Sequence, residues 1–215
     1  MSMMGRWIEI APELLERILT NPSILDEVTA VDLHLPIPPA KASALLELLS
    51  SAKLDEMAAR MPAEHREAFL RQAAVMRTAA AGGPRAEPEG VRARLDLEKA
   101  WHGLHFLLCR TADEAPPPLG SAVLGGAEVG ADRGHGPVRY LTPEQAADVA
   151  LAISSIDPPG LRRAWEPQSL VEHEVYPGGW EQPESLEWLL DALGQLQQFY
   201  SGVANRGSAV LLYIT

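Results

Sequence analysis

VRARLDLEKAWHGLHFLLCR, residues 91–110, reads as one half-buried helix. Leu97, Ala100, Trp101, Leu104, Leu107 and Leu108 recur at spacings of three and four, which at 3.6 residues per turn places them on one face. That face must point at the core. Along its edge the same reading sets Glu98, His102 and His105 side by side, because residues three and four apart are neighbours on a helix.

Two histidines and a carboxylate can do chemistry, so this edge supplies the candidate catalytic residues, His102, His105 and Glu98. A zinc site needs three or four ligands, and the stretch offers only part of a shell in an order unlike HExxH, so no metal is expected. An imidazole beside a carboxylate can also act as a general acid or base near neutrality. Against this, there is no GxSxG nucleophile, and Cys109 beside Arg110 reads as a small buried hydrophobe. Histidines hydrogen-bonded to backbone or carboxylate at the core edge are the favoured reading.

Outward from this stretch the chain alternates packing signals and breakers. Arg6 to Ile10 read as a short strand, Ala11-Pro12-Glu13 opens a helix reaching Asn21-Pro22, and Ser23 to Thr29 suit a second short helix. From Leu33 to Gly90 a proline-rich entry, two helical patterns (Ser43 to Met61 and Ala63 to Ala80) and a glycine-rich exit predict a helical insertion within one domain. After Arg110 comes a long Gly/Pro-rich passage in which SAVLGG and GPVRYL each predict a strand and a shallow cleft is expected. Its GGAEVG and GADRGHG runs read as turns, since neither matches a phosphate loop. Arg139 is the strongest anion candidate, unless it pairs with an acidic neighbour.

Thr142-Pro143-Glu144-Gln145 carries a capping box and predicts a helix to about Ser155. Asp157-Pro158-Pro159-Gly160 breaks it, short helices follow at Leu161 to Trp165 and Gln168 to His173, and EVYPGGWEQP reads as a loop. Pro183 to Ala204 is a helix with Leu186, Leu189, Leu190, Leu193, Leu196 and Tyr200 as its stripe. SAVLLYIT closes the chain as a buried strand.

Composition limits the partners. Eighteen basic against twenty-nine acidic residues give a formal charge of -11, and with no basic cluster nucleic acid is not an expected partner. One cysteine cannot close an internal disulfide and fits a reducing compartment. The first residues lack the pattern of a secretory signal and no apolar run approaches the roughly 20 residues of a membrane span, so a cytoplasmic protein with no membrane partner is expected.

LDLEKAWHGLHFLL, SAVLGG, GPVRYLTPEQ, EVYPGGW and the long helix into AVLLYI, in that order, resemble the YfbM-like family of bacterial domains of unknown function. The likeness is loose over Gly5 to Ile10 and good over Val91 to Thr215. It implies an α+β domain and brings no activity with it.

The expected fold is therefore α+β, a small mixed sheet packed by several helices. The expected function is a binding or interaction domain for a protein or small molecule, immunity-type roles included, with no cofactor. Arg139, Tyr140, Tyr176 and Trp180 are its candidate binding residues. The alternative is a small hydrolase using His102 or His105 with Glu98 in a cleft.

Overall fold

The computed structural model describes residues 3–29, 51–60, 62, 66, 69–70, 73 and 87–215. The chain forms two compact units, Met1–Ser23 with Glu89–Thr215, and Ile24–Pro88.

The larger unit is built on a five-stranded sheet. Its strands are β1 (Gly5–Ile10), β2 (Val91–Glu98), β3 (Ala127–Val129), β4 (Val138–Leu141) and β5 (Ala209–Ile214), in the order β2-β1-β5-β4-β3. Around it run α1 (Pro12–Thr20), α4 (Ala100–Cys109), α5 (Pro143–Ser154), α6 (Pro158–Arg163), α7 (Pro167–Glu172) and α8 (Ser185–Asn205). Of the smaller unit the described residues include α2 (Ile24–Thr29) and α3 (Ser51–Ala59). α3 falls within the helix expected over 43–61, and most of the helix expected over 63–80 lies outside the described residues.

The α+β class is as expected, but among the described residues all four strand pairings are antiparallel rather than mixed. The connection between β4 and β5 explains one of them. Leu141, the last residue of β4, pairs with Val210 near the start of β5, so the excursion through α5 and α8, which pack on one another, returns to the end of the sheet it left. β5 must then run back against β4.

Residues 91–110 are not one helix. Val91, Ala93, Leu95 and Leu97 alternate with Arg92, Arg94, Asp96 and Glu98, a period of two that suits an edge strand, and β2 pairs with β1 from Gly5↔Glu98 to Ile10↔Val91. Glu98 adopts φ +48°, which turns the chain out of the strand before α4 begins at Ala100.

SAVLGG is not a strand either. Its first two residues complete a 3-10 turn, Gly120–Ala122, and the Ala122 carbonyl is taken by two buried side chains, the Trp7 indole (2.9 Å) and the Tyr200 hydroxyl (3.1 Å). The strand comes later, at Ala127–Val129, opposite β4. Gly126 opens it at φ +101°, and a Cβ there would stand 2.7 Å from the Tyr140 carbonyl oxygen, so only glycine lets the hairpin close here.

α5 begins as its sequence predicts: the Thr142 hydroxyl accepts from Gln145 N and the Gln145 side chain accepts from Thr142 N. α6 starts at Pro158 rather than Leu161, since the Asp157 carboxylate caps it by accepting from Gly160 N at 2.9 Å. α4, α5 and α8 bury one face of the sheet in a core that includes Trp7, Leu104, Phe106, Val149, Leu193, Tyr200 and Leu212.

At the other end of the first strand a charge is buried. Glu9 is fully enclosed, and Arg206 grips both its oxygens, Nε at 2.7 Å and Nη2 at 2.6 Å, while the Ser208 hydroxyl donates at 2.6 Å. Arg92 donates in turn to Ser208 Oγ at 2.6 Å. Paired and hydrogen-bonded, the carboxylate ties β1 to the junction of α8 and β5.

Candidate functional site

α4 brings His102 and His105 to the loop that follows it. His102 is partly buried, and its Nε2 lies 3.0 Å from the Ala112 carbonyl oxygen while its Nδ1 lies 3.0 Å from the Tyr176 backbone nitrogen. These partners fix the tautomer: Nε2 carries the proton and donates, and Nδ1 accepts from the Tyr176 N–H. His105 is completely buried, with Nε2 donating to the Asp113 carbonyl at 2.7 Å. Its Nδ1 has no partner among the described residues. Burial holds this imidazole below its ordinary range, with the Asp113 carbonyl pulling the other way.

Glu98 does not join them. It ends β2, exposed, and its backbone N–H donates to Asp96 Oδ1 at 2.8 Å. The edge expected to hold Glu98, His102 and His105 together therefore contains only the two histidines. Among the described residues no group of three or more His, Cys, Asp or Glu is placed to hold a metal ion. Burial pushes the Cys109 thiol above its usual range, which keeps it protonated.

Tyr176 and Trp180 lie against α4 rather than in a cleft. The Tyr176 ring stacks on Trp101 with centroids 6.1 Å apart, and its hydroxyl accepts from Met3 N at 3.0 Å. Trp180 is buried and donates to the Val175 carbonyl at 2.7 Å. Its indole covers Gly103, where a Cβ would collide with the ring edge at Cη2.

A cleft does form in the Gly/Pro-rich passage, but with other walls. It measures about 990 Å³ and lies between the loop at Glu114–Pro118, the β3–β4 hairpin and α5. Of the expected binding residues only Arg139 lines it. Tyr140, the next residue along β4, projects to the opposite face of the sheet, as alternation requires. The contributions of Asp148, Val149, Leu151 and Ala152 from α5 were missed in the sequence, although their spacing of three and four marks one side of that helix.

Arg139 sets the electrostatics. Its Nη2 lies 2.5 Å from Glu114 Oε1 and 3.4 Å from Glu128 Oε1, and its Nη1 donates to the Leu124 carbonyl. The guanidinium thus pins the loop to the hairpin. The glycine-rich run at the tip is likewise self-satisfied: Asp132 Oδ1 accepts from Gly134 N at 2.7 Å and Gly136 N at 3.1 Å, filling the place an anion would take.

The histidines and the cleft are one construction. Ala112 and Asp113, held by His102 and His105, lead directly into Glu114, the residue that meets Arg139. The model of a domain of unknown function, DUF1877, matches residues 1–213. The chain belongs to the DUF1877 family. A solved structure, that of a protein of unknown function, YfbM from Escherichia coli, is similar to this DUF1877 chain over 99% of both chains, with a TM-score of 0.58 and 20% identity. That is a likeness of fold, and it agrees with the YfbM-like resemblance of the sequence. No curated protein matches the chain. Among the described residues of this DUF1877 chain no helix is long and apolar enough to cross a membrane.

Proposed function

We propose that the protein is a cytoplasmic binding domain without catalytic activity, which receives a protein segment or small molecule in the cleft beside Arg139. The observation that carries this reading is the cleft itself. At about 990 Å³ it stands near the upper end of the roughly 300–1,000 Å³ of small-ligand pockets. Its walls are fixed from both sides, by the ion pairs of Arg139 and by the histidine bonds behind the loop.

The hydrolase alternative has less to support it. His102 spends both ring nitrogens on backbone groups, His105 is enclosed, and Glu98 stands apart on β2. The single cysteine suits a reducing compartment, in line with the cytoplasmic reading.

Amide-resolved NMR of the full chain, titrated with a library of neutral fragments, tests the proposal. Shifts should gather at Gly125, Gly126 and the cleft side of α5. Shifts that gather elsewhere, cleft amides that no fragment moves, or turnover of an ester or phosphoester that His102→Asn abolishes would each overturn it.

A further inference from the structure

Resting on that binding reading, we infer that the occupant of the cleft is an extended peptide segment of a partner protein, carrying a lysine or arginine beside an apolar residue. Three independent features agree. The first is the sign of the charge the cleft can accept. Its only cation among the described residues, Arg139, already serves Glu114, Glu128 and the Leu124 carbonyl, so an incoming carboxylate or phosphate would have to displace an internal partner. Asp148, on the α5 wall, forms no ion pair among the described residues. Three carboxylates against one guanidinium, in a chain of formal charge -11, repel anions and draw cations.

The second feature is the apolar surface between those charges. Pro117 and Pro118, both exposed, form one wall, and on the other stands Leu151, 74% exposed. Such strips beside carboxylates suit the aliphatic stem of a lysine or arginine whose head reaches an acid, and they suit a neighbouring apolar side chain. The third is the sheet edge. β3 is the last strand of the sheet, and among the described residues no strand pairs with its outer side. Gly125, Gly126 and Glu128 border the cleft, so an extended backbone can bond to this edge while its side chains enter the cleft.

Three heptapeptides of one alanine-leucine template, with Lys, Gln or Glu at the same two positions, test this by NMR titration of the full chain. The Lys peptide should move the amides of Gly125 to Glu128 and of α5, and the Gln peptide should bind about tenfold more weakly. Asp148→Asn, at an exposed site, should weaken the Lys peptide about threefold, in keeping with one surface ion pair. A Glu or Gln peptide that binds the cleft as tightly as the Lys peptide overturns the inference and leaves the binding reading standing. A cleft that ignores all three peptides but responds to neutral fragments overturns it equally, whereas a cleft silent to both sets sinks the binding reading as well.

Discussion

His105 holds the carbonyl of Asp113 at 2.7 Å from inside the core, one residue before Glu114 crosses to Arg139. The buried ring thus acts on the cleft without entering it. Folded, it resists protonation below its ordinary value of 6.5; unfolded, it does not. Stability is complete above that value and falls as pH drops through it towards the lower folded pKa, because only the unfolded chain takes up the proton. In His105→Gln, which keeps a donor for Asp113 but does not titrate, this part of the fall should vanish. Chemical denaturation of both proteins between neutral and mildly acid pH measures it, and parallel curves would refute the assignment.

Arg139→Gln should loosen the cleft wall. The substitution leaves Glu114 and Glu128 facing each other and weakens the bond to the Leu124 carbonyl. The side chain is a quarter exposed, so solvent screens part of the loss and about 1–2 kcal/mol is expected. Hydrogen exchange should quicken at residues 112–115 and 124–128, and unchanged exchange there would show that the ion pairs do not hold the wall.

Gly103→Ala should be costly despite its size. The new methyl would enter the space of the Trp180 indole, which is buried and bonded to Val175, so an overpacking penalty of about 1–3 kcal/mol is expected. A shift in the denaturation midpoint, accompanied by altered tryptophan fluorescence, would report it. A neutral effect would mean that Trp180 can move.

Glu9→Gln removes the charge that Arg206 and Ser208 share. Burial raises this carboxyl, yet the hydrogen bonds of Arg206 and Ser208 and the charges of Arg206 and Arg92 outweigh it and hold the group below its ordinary 4.5. Its contribution is therefore present above 4.5 and is lost as pH falls through the folded value. The variant should be about 1–3 kcal/mol less stable at neutral pH, and the gap should narrow in acid. A gap that is constant with pH would show that the charge contributes nothing.

What the sequence discloses and what it withholds divide along range of interaction. The Thr142–Gln145 capping box and the stripe from Leu189 to Tyr200 are local, and the structure has both. Val91 to Leu97 misled because its alternation runs straight into the helical spacing of Leu97, Ala100 and Trp101, so one period hides the other. Glu114, Glu128 and Arg139 meet only through the loop and hairpin, and no spacing announces that. Tyr176 and Trp180 look like pocket aromatics until α4 supplies Trp101 and Gly103 to cover.

β1 and β5 lie side by side in the middle of the sheet, and Met4 and Thr215 exchange backbone hydrogen bonds of 2.8 and 3.0 Å. On the ribosome, the first strand emerges long before its central neighbour has been translated. Until β5 has left the exit tunnel, the edge of β1 with which it pairs holds open backbone N–H and C=O groups, and a nascent chain stalled short of that point presents this edge to chaperones or to other nascent chains.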